Sequence, residues 1–175
     1  PVVLFAGKLE PKKAPDVLIE AFLGLESREA HLVLVGSGPI EESLHHRTED
    51  HSRVHFLGFQ NQSEMPVVYR LGDVFVLPSR GPGETWGLAV NEAMACGRAV
   101  VVSDKVGCAP DLVDEKNGAV VPAGEPSALR QTLENLLRDK ERLREMGRRS
   151  VERISKWSVE RAAVRTEEAV QGVLN

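Results

Sequence analysis

Cysteine, net positive charge and long apolar runs are all scarce in this sequence, and each scarcity removes a class of function. Its 175 residues include two cysteines, Cys96 and Cys108, without a Cys-x-x-Cys or Cys/His cluster around them. A zinc site is therefore not expected, and both are read as reduced, buried thiols. Lysine and arginine total 22 against 26 acidic residues, a net charge of −4, so no global basic field is available for nucleic acid. Any phosphate site must be local. No run approaches the roughly 18 apolar residues that read as a membrane span, and no leader-like segment opens the chain, so a cytoplasmic protein is expected. No Asp-x-Asp occurs, which leaves out the usual paired-carboxylate clamp for a metal–diphosphate complex. His31, His45, His46, His51 and His55 form no ligand constellation, and no Ser/His/Asp or Cys/His set can be assembled. Repeats and low-complexity segments are lacking too.

What is present is a packed α/β pattern. A chain of this length fits one domain able to bury roughly 70% of the surface exposed when unfolded. Short apolar runs recur at Val2 to Ala6, His31 to Val35, Val54 to Leu57, Val74 to Leu77 and Ala99 to Ser103, with a weaker one at Ala119 to Val121. Continuous rather than alternating hydrophobicity marks strands buried on both faces, hence a parallel sheet. Segments of helical composition lie between them: Asp16 to Leu23, Ile40 to about Thr48, Ser63 to Leu71 and Gly87 to Cys96. Repeated βα units predict a doubly wound, Rossmann-like sheet of about six strands with helices on both faces. Beyond it, Leu129, Leu133, Leu136 and Leu137 form a helical stripe behind a Ser127 cap. Leu143, Met146, Val151 and Ile154 form a second stripe, and a last helix runs from Ser158 towards Leu174. Pro1-Val-Val-Leu-Phe-Ala-Gly7 is a strand from the first residue without an initiating Met, so the chain reads as an excised domain.

Two glutamates carry the most information. Glu84 and Glu92, with seven residues between them, lie where the Val74-Phe-Val-Leu-Pro78 strand passes through a Gly/Pro-rich loop into a helix. That is the junction where α/β proteins bind phosphorylated ligands. Carboxylates are poor phosphate ligands but good acceptors for sugar hydroxyls, so the pairing suggests a nucleotide-sugar. Gly81, Pro82, Gly83 and Gly87 form a loop able to present backbone N–H groups, with Thr85, Trp86, Gly87 and Leu88 as candidate phosphate contacts. Lys8 and Lys13 follow the first strand and could neutralise a pyrophosphate. Gly36-Ser-Gly38-Pro39 follows the second and lets bare backbone approach a ligand. A dinucleotide fingerprint would need a third glycine where Glu41 stands and a ribose-binding acid near Phe56, so an NAD site is disfavoured.

In order along the chain, these motifs resemble the carboxy-terminal, donor-binding domain of GT-B fold retaining glycosyltransferases of family 4. Gly7-Lys8-Leu9 with Lys13 looks like the family's Gly-Arg-Leu…Lys-Gly segment, Gly36-Ser-Gly38-Pro39 like its Gly-x-Gly turn, and Val54-His-Phe-Leu-Gly58 like its nucleobase-proximal strand. Pro78-Ser79, then Glu84 to Glu92 with Ala-Met-Ala-Cys-Gly97, is similar to its two-glutamate signature. The resemblance implies that Glu84 contacts donor-sugar hydroxyls, Glu92 the ribose, Lys8 and Lys13 the leaving diphosphate together with the Trp86 to Leu88 backbone, and Leu57 and Gly58 the base. Gly7 would belong to the same donor site. It further implies transfer from a UDP-, GDP- or ADP-linked sugar to an acceptor glycan, lipid or small molecule, with no cofactor and no metal. The acceptor would be held by an amino-terminal domain outside this chain, so the isolated domain would be inactive alone; peripheral membrane association of the full-length enzyme stays open. Three departures stand out. Lys8 occupies a usual arginine position and gives up the bidentate fork, Ala14 replaces a glycine and Trp86 a phenylalanine. A non-catalytic nucleotide-binding or regulatory module and a nucleotide-sugar epimerase are the alternatives.

Overall fold

The computed structural model describes residues 1–81 and 83–174, with the backbone alone at 174. Six strands form a single parallel sheet: β1 (Val2–Ala6), β2 (His31–Val35), β3 (Val54–Phe56), β4 (Val74–Leu77), β5 (Ala99–Ser103) and β6 (Gly118–Val121). Their spatial order is β3-β2-β1-β4-β5-β6. All four β4 residues and all five β5 residues are buried, as the unbroken apolar runs require of central parallel strands. The edge strand β3 is only half-buried.

Eight helices accompany the sheet among the described residues: α1 (Pro15–Leu23), α2 (Glu41–Thr48), α3 (Met65–Leu71), α4 (Leu88–Ala95), α5 (Ala109–Leu112), α6 (Pro126–Leu137), α7 (Lys140–Ile154) and α8 (Val159–Leu174). Helix α1 packs on α6, while α4 packs against both α3 and α7. One apolar core runs through the sheet, from Phe5 and Phe22 to Val101 and Leu133. Short α5, at four residues, falls below the length at which helical periodicity can be read from sequence.

Three expectations about local detail are corrected. Helix α6 begins one residue before Ser127: Pro126 occupies the first turn, where its missing N–H costs nothing, and Glu125 precedes it without a side-chain cap. On α7 the buried face is Leu143, Met146, Gly147 and Ser150, leaving Val151 43% exposed. The face is set by close approach, since a Cβ on Gly147 would stand 2.1 Å from the Gly97 carbonyl oxygen. The β3 run ends at Phe56, so Leu57 belongs to the following loop.

The strand order places the site. Chain growth moves outward from β1 through β2 to β3, then returns to β4 beside β1 and continues to β5 and β6. Loops leaving β1 and β4 therefore diverge at the carboxyl end of the sheet and open a crevice there.

Candidate donor site at the strand switch point

A cleft of about 520 Å³ occupies this crevice, lined by Gly7 and Lys8 after β1, Ser37 and Gly38 after β2, Phe59, Gln60 and Gln62 after β3, Met65 and Tyr69 of α3, and Ala89 and Glu92 of α4. Gly7, Lys8, Gly38 and Glu92, all singled out in the sequence, are thus brought to one surface. Lys8 projects with its side chain 64% exposed, 3.7 Å from Glu10, so its ammonium remains accessible.

The loops after β1 and β2 are laced together. Gly7 N–H donates to the Val35 carbonyl at 2.9 Å, Leu9 N–H to Ser37 at 3.0 Å, and Ile40 N–H to Leu9 at 3.2 Å. That lacing explains the glycines. A Cβ on Gly36 would lie 2.1 Å from the Gly7 oxygen, and one on Gly38 would lie 2.2 Å from the Leu9 oxygen. The Gly-x-Gly turn therefore makes room for its neighbouring loop, and Gly38 reaches the cleft as a consequence.

Glu92 is held by two donors. Tyr69 donates its phenolic hydroxyl to Oε2 at 2.6 Å, and Gln62 donates Nε2 to Oε1 at 2.9 Å. Burial drives the Tyr69 phenol far above its ordinary range, and the hydrogen bond to Glu92 and that carboxylate's charge push the same way, with Cys96 adding to them. The hydroxyl consequently stays a donor at any working pH.

Glu84 takes a different position. It does not line the cleft; its carboxylate pairs with Lys13 and accepts from Ser79 Oγ at 3.0 Å. Its side chain is only 8% exposed and that of Lys13 20%. The 3-10 turn Pro11–Lys13 carries the lysine, and it is anchored to the β4 loop: Arg80 N–H donates to the Lys12 carbonyl at 2.8 Å, and the Arg80 guanidinium spans both Asp16 oxygens at 2.9 and 3.3 Å.

Downstream of Glu84 the loop is stapled to the segment after β5, with Gly107 N–H donating to the Glu84 carbonyl at 3.0 Å and Cys108 N–H to Trp86 at 2.9 Å. Trp86 turns its indole towards α4 and the α7–α8 connection, donating to Asn91 Oδ1 at 3.0 Å with its ring 5.6 Å from Trp157. Thr85 and Leu88 are exposed; Gly87, buried, takes φ 97° ahead of α4. Among the described residues the N–H groups of Gly87, Leu88 and Ala89 donate to no protein acceptor, as the first turn of a helix leaves them. Pro82, named with the loop glycines, lies outside the described residues.

At the β3 side, Leu57 is 42% exposed, and the Gly58 carbonyl accepts from Gly36 N–H at 2.7 Å. Neither lines the cleft, whereas Phe59 and Gln60 immediately after them do. Phe59 is 72% exposed, an aromatic face open at the rim. Sequence reading also missed Tyr69 and Gln62. Tyr69 alone left a signal: it is the single tyrosine, set in an apolar helix where its hydroxyl needs a partner.

A sequence model described as glycosyl transferases group 1 matches residues 1–139. The chain belongs to this family. It is 33% identical, over 93% of its length and 41% of the relative's, to D-inositol 3-phosphate glycosyltransferase 2 of Catenulispora acidiphila. Among solved structures it is similar to sucrose-phosphate synthase of Thermosynechococcus elongatus, with a TM-score of 0.85 and 27% identity over 99% of this chain and 45% of the other. A second, the Anabaena protein HepE in complex with UDP, superposes at a TM-score of 0.86 with 24% identity over 98% of this chain and 48% of that one. The sheet is thus the α/β fold of one half of a GT-B glycosyltransferase, and the chain spans less than half the length of these relatives. No helix among the described residues is long and apolar enough to cross a membrane.

Proposed function

We propose that this chain is the donor-binding half of a retaining glycosyltransferase that moves a sugar from a nucleotide-diphospho-sugar to an acceptor hydroxyl. The observation that carries the reading is the switch-point cleft itself: Glu92 in its wall, Lys8 on its rim and the unbonded amides at the start of α4 beside it. HepE binds UDP in a fold of this shape, which supports a nucleotide in the crevice. Phe59 offers a stacking face for the base, and Glu92 accepts from ribose hydroxyls. The diphosphate meets the α4 amides, which favour an anion, and the ammonium groups of Lys8 and Lys13. Lys13 has three donors; one rests on Glu84, and two remain for phosphate oxygens. Glu84, paired with Lys13, accepts from the donor sugar's hydroxyls and so links sugar position to the leaving group.

In the reaction the bond from the anomeric carbon to the β-phosphate oxygen breaks, and a bond to the acceptor oxygen forms on the same face. The acceptor's proton passes to the departing phosphate, which needs no protein base. Lys8 and Lys13 lower the barrier by stabilising the oxyanion as its charge develops, and these two cations take the place of a metal. A separate amino-terminal domain holds the acceptor, a glycan, a lipid or a small molecule. Calorimetric titration with UDP, GDP and ADP and with their sugar conjugates tests the assignment. Glu92→Gln is expected to weaken every nucleotide alike, and Glu84→Gln mainly the sugar-bearing ones. Binding of none of them, or equal effects of both changes on a plain nucleoside diphosphate, would refute it.

A further inference from the structure

Tyr69 is 2% exposed and packs edge-on against Phe75, with ring centroids 5.6 Å apart and planes at 73°. The ring is thereby fixed in the core, and the hydroxyl reaches Glu92 Oε2 at 2.6 Å. On the opposite carboxylate oxygen sits Gln62 Nε2, at 2.9 Å, from the exposed start of the segment before α3. Each carboxylate oxygen offers about two lone-pair directions. One on each is occupied, and one on each is left.

We propose that Tyr69 and Gln62 lock the Glu92 carboxylate so that its two remaining lone pairs receive two vicinal hydroxyls, which makes Tyr69 a positioning residue for selecting ligands with a ribose cis-diol. The inference rests on the reading of the cleft as a nucleotide site. Its physical basis is preorganisation. An untethered glutamate loses rotamer freedom when it binds, whereas one held at both oxygens has lost it on folding, so more of the interaction with the diol appears as affinity. A tether from the core also distinguishes Glu92 from an ordinary exposed helix glutamate, which would turn to solvent. Tyr69 and Glu92 belong to α3 and α4, elements that flank the crevice, so the diol reader is built across the joint between them.

The test compares each of UDP, GDP and ADP that binds with its 2′,3′-dideoxy form, by calorimetry on the chain. The unmodified chain should prefer the ribonucleotide by about 100-fold or more, the worth of two hydrogen bonds to a charged group. Tyr69→Phe retains the ring and its contact with Phe75, and should cut that preference about tenfold while leaving affinity for the dideoxy nucleotide within about twofold. A merely structural role would lower both affinities together. Gln62→Ala, at an exposed position, should cut the preference about threefold, and it decides the matter if Tyr69→Phe does not fold. Full preference retained in Gln62→Ala and in any folded Tyr69→Phe overturns the proposal while the nucleotide reading stands. A nucleotide that binds without any preference for the ribose diol removes the role of Glu92 and the proposal together.

Discussion

Replacing Lys13 with methionine probes the pair that holds Glu84. The Glu84 side chain is 8% exposed and that of Lys13 20%, and the carboxylate's other donor is the hydroxyl of Ser79, a residue with no exposure, at 3.0 Å. Methionine keeps most of the apolar stem and removes the charge, so a nearly buried carboxylate is left with one neutral donor. Removing one partner of a fully buried pair costs about 3–5 kcal/mol; the fraction of this pair that meets solvent brings the expectation to about 2–3 kcal/mol. Glu84→Gln should cost less, about 1 kcal/mol, because the amide oxygen still accepts from Ser79 and the lysine can turn towards water. With both changes no charge is stranded, and the double variant should lose only about 1 kcal/mol, a coupling of about 2–3 kcal/mol. For a chain of this size each kcal/mol moves the melting midpoint by about 2–4 °C, so Lys13→Met should melt about 5–10 °C lower and the other two variants about 2–4 °C lower. Far-ultraviolet circular dichroism during thermal and urea unfolding, without nucleotide, measures all four proteins. Additive single costs, or a Glu84→Gln loss as large as that of Lys13→Met, would refute the reasoning.

Two other predictions concern stability and reactivity. Gly36→Ala places a Cβ 2.1 Å from the Gly7 oxygen at φ 126°, and should cost about 3 kcal/mol. Gly58→Ala, at φ 58° with open space around it, should cost about 1 kcal/mol; comparable losses in urea unfolding would contradict the lacing of the two loops. The buried Cys108 thiol is pushed up from 9.0 to about 11, by burial first and then by the charges of Glu84 and Asp111, against the pull of its own backbone hydrogen bond. The native state therefore holds this proton more tightly than the unfolded chain, and the associated stability is complete below pH 9.0 and lost as pH rises to about 11. Alkylation followed by mass spectrometry at mildly alkaline pH should modify half-buried Cys96 well before Cys108; equal rates would show that Cys108 is neither buried nor raised.

The last helix shows how far the pattern in the sequence reaches. Its span near Ser158 to Leu174 was legible from composition, as α8 confirms. Yet Val159 is 82% exposed, Val173 86% and Trp157 44%, an exposure that helical periodicity alone cannot distinguish from a buried stripe. The α7 stripe likewise gave the correct helix but one wrong member, Val151, because the Gly97–Gly147 approach that rotates the buried face joins residues far apart in the chain.

The sequence by itself determined the sheet class, the six strands and the order of βα units, and it pointed to a candidate site at the carboxyl end of the strands. Unbroken apolar runs can be satisfied only by burial on both faces, and a strand feeding a glycine-rich helix start is a local pattern. It also singled out Gly7, Lys8, Lys13, Gly38, Glu84 and Glu92 by residue type and by place after a strand. Only the tertiary structure decided what each of them touches. Lys13 meets Glu84 across 71 positions of sequence and Tyr69 meets Glu92 across 23, contacts set by the neighbouring placement of β1 and β4 and by the packing of α3 on α4. The two glutamates look like equals in the motif. Folding gives one a lysine and a buried serine, the other a tyrosine and a glutamine, because a side chain's partners follow from the topology that brings distant loops together.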